Sequence, residues 1–305
     1  MRVIRELNRV QVDRDTVLTI GAFDGLHLGH QDLLRRLVRQ ASQTDRLSCV
    51  LTFDPHPRAL FSSAANALCL TTTDDKAAIL RQWGLDLLIV LPFTPELART
   101  SARDFMQMLV SALHMSELWV GWDFALGRDR EGDVRALRAL GKSMGYAVHE
   151  IEPVLEGGVL VSSTRIRTLL AAGNVREAGE LLGRYYALQG RVVRGVGRGK
   201  QLGFPTANLE PAQGCVVPAT GVYAAYVVVG NARYRAAVNI GVRPTFDLQG
   251  RLMEAHLLDF EGDLCGQPIT IQLVERLREE RRFAGPDALR AQIGRDVARV
   301  REVLE

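Results

Sequence analysis

The first 183 residues alternate short apolar runs with stretches whose apolar positions recur every three or four residues. TVLTIG (16–21), LSCVLTF (47–53), DLLIVLPF (86–93) and ELWVG (117–121) read as strands, and a further apolar run lies at AVHEI (147–151). Between them, Leu34, Leu37, Val38 and Ala41 form a helical i, i+3, i+4, i+7 stripe. DDKAAILRQWG (74–84) reads as a helix stopped by Gly84, and ARDFMQMLVSALH (102–114) and RALRALGKSMG (135–145) add two more. Strands alternating with helices of this length predict βαβ units and a parallel sheet.

From about Tyr185 the rhythm changes. GRVVRGVG, GVYAAYVVVG, YRAAVNIG, MEAHLLDF and PITIQLVERL are β-like runs separated by Gly-containing turns, with a tight hairpin expected at Gly230 and Asn231. Five such runs without helices between them predict a small antiparallel barrel. A last helix is expected from Gly285-Pro286-Asp287, with Leu289, Ile293, Val297, Val300 and Leu304 on one face. The boundary falls near 183–186, giving domains over 1–184 and 185–305.

Composition narrows the class without pointing to a partner. The 305 residues are 47% hydrophobic and 24% charged, as in a globular protein, and a net charge of +3 gives no reason to expect a nucleic-acid scaffold. Cys49, Cys69, Cys215 and Cys265 show no CxxC spacing and are too few for a disulfide framework, so buried or half-buried thiols are expected. The N-terminus, MRVIRELNRVQVDRD, has no apolar signal-peptide core, and no apolar run approaches the ~18 residues of a membrane span. These features predict a cytoplasmic protein that binds no membrane.

The sharpest local signal is TIGAFDGLHLGHQ (19–31). A strand ends at Gly21, a Gly-containing loop follows, and a helix begins around His27 to His30. Free N–H groups and the helix dipole there favour an anion. His27 and His30 can both face that anion, and Gly29 removes a side chain that would block close approach. Two imidazoles so placed suit nucleotidyl transfer, in which charge grows on phosphate oxygens. A helix cap with two incidental histidines is the plainer alternative.

VSSTRIR (161–167) offers a second anion clamp. Ser162 or Ser163 can cap a helix, Thr164 lies in its first turn, and Arg167 follows. GVGRGKQLGFPTANL (195–209) is the strongest signal in the second half. Gly195, Gly197, Gly199 and Gly203 form a loop whose backbone can approach phosphates, with Lys200 among them. If the following segment is extended, Thr206 and Asn208 lie on one side and offer neutral oxygens suited to Mg²⁺. In MEAHLLDF, Glu254, His256 and Leu258 share one face. Glu254, aimed into a barrel mouth, could take a proton from an attacking alcohol.

These lines together resemble the bacterial bifunctional riboflavin kinase/FAD synthetase family, with its HxGH nucleotidylyltransferase signature. LTFDPHP (51–57), VGWDFALGRDREGD (120–133), VSSTRIR, NIGVRPTF (239–246) and LREERRF (277–283) support it in the family's order over almost the whole chain. The resemblance implies a Rossmann-like nucleotidylyltransferase domain with a parallel sheet, followed by a small antiparallel β-barrel with a terminal helix. It implies phosphorylation of riboflavin to FMN in the barrel and adenylation of FMN to FAD in the first domain, with ATP and Mg²⁺ in both. The residues it assigns to nucleotide or phosphate are Gly21, Phe23, Asp24, Gly25, Gly29, Asp123, Ser162, Ser163, Thr164, Arg167, Gly197, Gly199, Lys200 and Gly203. It assigns Phe53, Pro55, His56 and Arg243 to flavin, Thr206 and Asn208 to metal, and Glu254, His27 and His30 to catalysis. The sequence departs from the family at Ala125 and Leu126, where Arg and Phe are usual, and at Cys265, where an aromatic is usual.

The implied partners are riboflavin, FMN and ATP, with no nucleic acid; a homo-oligomer is left open. A second enzyme reading is an adenylyltransferase for another phosphate-bearing acceptor, with the barrel as a binding domain. An aminoacyl-tRNA synthetase would need a KMSKS-like segment, which this chain lacks. A nucleic-acid-binding barrel would show aromatics interleaved with basic residues, of which Tyr223, Tyr226, Tyr234, Arg233 and Arg235 offer only a faint version.

Overall fold

The computed structural model describes residues 1–61, 68–195, 198–212, 214–242 and 251–305, in two compact units, Met1–Ser162 and Ser163–Glu305. The site expectations at Gly197 and Arg243 fall outside the described residues, as does the side chain of Lys200.

In the first unit the chain runs β1 (Arg2–Ile4), β2 (Thr16–Ile20), α1 (Leu28–Gln43), β3 (Leu47–Phe53), α2 (Arg58–Phe61), α3 (Thr73–Gln82), β4 (Leu87–Leu91), α4 (Pro95–Arg99) and α5 (Ala102–Leu113). It continues through β5 (Met115–Gly121), β6 (Ala125–Leu126), β7 (Gly132–Asp133), α6 (Val134–Met144), β8 (Ala147–Ile151), β9 (Leu155–Glu156) and β10 (Val159–Leu160). Six strands form one parallel sheet in the order β1-β4-β3-β2-β5-β8. β2, β3 and β4 are buried along nearly their whole length because helices cover both faces, which is why they read as continuous apolar runs. One face packs around Leu51, Ile89, Met106 and Leu118, the other around Leu34, Leu37, Val50 and Leu88. The charged N-terminal segment, which carries no strand pattern, nevertheless supplies the edge strand β1 beside β4. Successive strands step from β2 to β3 to β4 in one direction and then resume at β5 on the other side of β2. That reversal leaves a crevice beyond the carboxyl ends of β2 and β5, where open α/β sheets bind ligands.

The second unit contains α7 (Ser163–Ala172), α8 (Val175–Leu182), β11 (Tyr186–Val193), α9 (Arg198–Gln201), β12 (Ala207–Pro211), β13 (Gly221–Val229), β14 (Ala232–Val242), β15 (Arg251–Leu257), β16 (Pro268–Arg278) and α10 (Pro286–Val303). Its strands close into an antiparallel barrel, β11-β12-β15-β14-β13-β16, with β16 returning to β11. Five β-runs are legible in the sequence; the sixth strand, β12, begins at Ala207, just after Pro205 and Thr206, and closes the barrel between β11 and β15. The hairpin at Gly230 and Asn231 forms as expected. Tyr223, Val238, Met253, Ala255, Ile271 and Leu273 fill the interior, all inaccessible to solvent. α10 covers part of the outer face, where Val300 and Leu304 meet Ala224, Ala237, Leu258 and Val274.

That packing corrects one expectation. Glu254 alternates with Met253 and Ala255, so it lies on the barrel's outer face rather than pointing into its mouth. A small barrel is filled by side chains like any other core, and an ionised carboxylate inside would lose its hydration without compensation. Leu258 falls beyond the end of β15. The cysteines are free; Cys49 is buried, and burial, then the Asp86 charge, push its thiol pKa up, whereas Cys265 is exposed, contrary to expectation. Among the described residues, no helix is long and apolar enough to cross a membrane.

Candidate active sites

The loop after β2 is braced from several directions. The Ala22 carbonyl accepts hydrogen bonds from the Thr52 hydroxyl at 3.2 Å and the Lys76 ammonium at 2.6 Å. Lys76 also donates to Thr52 Oγ1 at 3.1 Å and is 4% exposed; burial, only partly opposed by the charges of Asp24, Cys69 and Asp54, holds its pKa below the ordinary lysine value. Asp24, predicted to face phosphate, is buried, and its carboxylate accepts from the Leu70 and Thr71 N–H groups at 2.8 and 3.3 Å. Phe23, Gly25 and Leu26 all take positive φ, a tight course that brings the chain to the head of α1.

His27 is the residue that caps α1, its Nδ1 accepting from the His30 N–H at 3.4 Å. The two rings stack with centroids 3.7 Å apart and planes 17° from parallel, and Phe23 meets His30 edge-on at 5.1 Å. Gly29 lies against this pair: a Cβ there would stand 3.3 Å from the His27 ring. Both histidines therefore stand together at the N-terminus of α1, with the sheet's switch point beside them. Gly21 lies under the Phe23 ring, at the same strand end.

Next to this strand end a cavity of about 900 Å³ opens in the first unit. Phe53, Phe93, Phe105, Phe124 and Leu126 are among its walls, and Arg58, Arg99, Arg128 and Arg130 are among its basic lining residues. Phe53 and Phe93 meet edge-to-face at 5.2 Å. Phe53 was legible as a candidate; Pro55 and His56 are not among the lining residues, whereas their neighbours Pro57 and Arg58 are. The His56 Nδ1 accepts from the Arg58 N–H at 3.0 Å and so shapes that turn. Phe93, which the sequence reading passed over, could have been found as the residue just past a parallel strand's carboxyl end. Asp123 is exposed, and its carbonyl accepts from Arg130 Nη2 at 3.0 Å.

Ser162 ends the first unit; in the second, Ser163 opens α7, Thr164 sits in its first turn and Arg167 about one turn on. On the barrel, β12 lies between β11 and β15, and Asn208 stands directly opposite Glu254. On the far side of Glu254, β14 places Asn239 opposite it. The carboxylate position is thus flanked on both sides by carboxamides on one face of the sheet. The sequence reading missed Asn239; the alternation of YRAAVNIG, with apolar residues on either side of Asn239, was the available signal.

Two of the loop glycines are required by the chain's own packing. A Cβ on Gly195 would overlap the Asn208 carboxamide, and one on Gly199 would overlap the Phe204 carbonyl and approach Thr206 Oγ1 to 3.1 Å. The Gly199 carbonyl accepts from the N–H groups of Leu202 and Phe204, folding the loop back over the P-T-A-N strand. Gly203 adopts a φ of +85°, open to glycine at little cost. Among the described residues no cluster of three or more His, Cys, Asp or Glu could hold a metal by itself. The neutral oxygens of Thr206 and Asn208 can hold a hard cation only jointly with phosphate oxygens.

Comparison with known proteins agrees with this division. The FAD synthetase family model matches residues 9–165 and the riboflavin kinase model residues 182–304. A bifunctional riboflavin kinase/FMN adenylyltransferase from Pseudomonas fluorescens is 40% identical over 306 residues, covering 99% of this chain and 97% of the relative. One of the same description from Escherichia coli K12 is 38% identical with the same coverage. Among solved structures, a Streptococcus pneumoniae chain described as a macrolide-efflux protein is similar with a TM-score of 0.91 at 29% identity over 98% of each chain. The full-length match, carrying both family models in one polypeptide, shows that this chain belongs to the bifunctional riboflavin kinase/FMN adenylyltransferase family.

Proposed function

We propose that the chain carries both reactions, FMN formation on the barrel and FAD formation in the N-terminal domain, with the functional boundary at 184/185. The observation that carries this reading is that the His27–His30 pair stacks at the head of α1 in the first unit, while Asn208 stands opposite Glu254 on the barrel of the second. The riboflavin kinase match over the barrel disfavours the reading of it as a mere binding domain.

On the barrel, the terminal ribityl hydroxyl of riboflavin attacks the γ-phosphorus of ATP. Its proton passes to the Glu254 carboxylate, the γ-phosphorus–bridging oxygen bond breaks, and ADP departs. Asn208 and Asn239 restrain Glu254 from either side. Mg²⁺ held by Thr206, Asn208 and the nucleotide would neutralise charge on the phosphates. In the N-terminal domain an FMN phosphate oxygen attacks the α-phosphorus of a second ATP, and pyrophosphate leaves. His27 and His30 stabilise the charge that develops on the phosphate oxygens. Apart from that pair, Ser163, Thr164 and Arg167 on α7 of the second unit, with Ser162 just before it, suit phosphate oxygens by their own chemistry. The aromatic-walled cavity takes the isoalloxazine rings, and its arginines suit the anionic tail. The protein acts in the cytoplasm on small molecules, without nucleic acid.

Incubation with riboflavin, ATP and Mg²⁺, followed by chromatographic separation of the flavins, tests the assignment. Glu254→Gln stops FMN from appearing while added FMN is still converted to FAD, and His30→Ala lets FMN accumulate. Loss of the same single step in both variants would overturn it.

A further inference from the structure

β15 carries a second functional side chain on the same face as Glu254. His256 follows it by two residues, and successive residues of one parity share a face of a strand. His256 is half-buried, and its Nδ1 lies 2.8 Å from the carbonyl oxygen of Pro205. A carbonyl only accepts, so Nδ1 carries the proton and donates. Phe204 meets the same imidazole at 5.4 Å with the planes 88° apart, an edge-to-face contact. His256 therefore grips two consecutive residues, Phe204 and Pro205, immediately before Thr206.

The main-chain ladder between β12 and β15 starts at Ala207, which pairs with Ala255. The ladder fixes Asn208, but Thr206 precedes it. On the other side the Phe204 N–H bonds the Gly199 carbonyl at 2.8 Å, joining the glycine-rich turn to the entry of the P-T-A-N segment. The His256 bond ties that segment to the strand bearing Glu254.

We infer that His256 is a positioning residue for phosphoryl transfer: through the Pro205 carbonyl it sets Thr206 and the glycine-rich turn, the ATP-side cradle, at a fixed distance from the Glu254 carboxylate. This rests on the reading of Thr206 and Asn208 as the MgATP cradle. His256 itself touches neither substrate nor reacting atoms.

The test compares two substitutions in the full chain. His256→Phe keeps a ring beside Phe204 but removes the donor. His256→Asn places an amide N–H close to where Nδ1 stood. His256→Phe is expected to raise the riboflavin kinase KM for MgATP about five- to tenfold, the loss of about one hydrogen bond's net contribution. His256→Asn is expected to stay within about twofold of the unsubstituted protein, since it restores that bond. FMN-to-FAD conversion, measured on the same samples, stays unchanged and reports an intact N-terminal domain. An unchanged KM in His256→Phe, or an equal rise in both variants, overturns the inference. Thr206→Ala separates the two levels of the argument. If it raises the MgATP KM while His256→Phe does not, the cradle stands and His256 has no part in it; if Thr206→Ala leaves the KM unchanged, the cradle reading falls and this inference with it. Should His256→Phe fail to fold, the His256→Asn value decides: a KM raised fivefold or more overturns the inference.

Discussion

Asn208 on β12 and Glu254 on β15 are direct cross-strand partners, one in the strand that follows the glycine-rich turn and the other in the strand beside it. Residues so paired in an antiparallel ladder project to the same face with Cβ atoms about 5 Å apart. Forty-five residues of sequence separate them, yet a single register brings a metal-suited amide and a candidate base together. Glu254→Gln is nearly isosteric and cannot accept the hydroxyl proton. It is expected to lower kinase kcat by about 10²- to 10⁴-fold, the usual scale of general-base removal, without changing FMN-to-FAD conversion. Steady-state rates of the two steps, measured separately, check this.

Gly195 is tied to the same pair. Its Cβ position is occupied by the Asn208 carboxamide, so Gly195→Ala must turn that side chain away from the cradle or shift the loop. The expected outcome is a rise of about tenfold or more in the kinase KM for MgATP, for the loss of one oriented ligand group. Gly230→Ala, at a turn with open space around its Cβ position, leaves that KM unchanged. An MgATP titration of the two variants side by side decides it.

The cavity beside β2 predicts a flavin-specific effect. Ala125 and Leu126 line it, where the family usually carries Arg and Phe. Ala125→Trp fills space needed by a planar ring system, and overpacking of a shaped site is poorly tolerated. The adenylyltransferase KM for FMN is expected to rise about tenfold or more, while riboflavin phosphorylation is unchanged. Flavin fluorescence titration of the variant provides the check.

Glu117 on β5 contributes acid-sensitive stability to the first unit. Burial opposes its ionisation, but hydrogen bonds from Trp119 and Gln40 and the charges of His149 and Arg46 outweigh it and hold its carboxyl below the ordinary value of 4.5. Arg46 Nη1 makes a short ion pair with Glu117 Oε1. A depressed folded-state pKa gives stability that is present above 4.5 and is lost as pH falls through the folded value. Glu117→Gln is expected to lower stability at pH 7 by about 1–3 kcal/mol. It also flattens the decline of Tm below pH 4.5, which calorimetry across that range measures.

The sequence by itself determined the two architectures and most of the chemistry. Continuous apolar runs announced strands buried on both faces, and Gly-separated β-runs announced the barrel. TIGAFDGLHLGHQ by itself placed two histidines at a helix head, because capping and helix phase are local properties. What only the tertiary structure decided was which distant groups meet. It placed the sixth barrel strand at Ala207–Pro211, where β11 on one side and β15 on the other each offered an edge to pair with. It turned Glu254 outward, because Met253 and Ala255 fill the interior. It spent Asp24 on backbone N–H groups of residues 70 and 71, put Asn239 beside the candidate base, and brought His256 to the Pro205 carbonyl. Pairing register and barrel closure arise from contacts between segments far apart in the chain, and no local spacing of residue types encodes them.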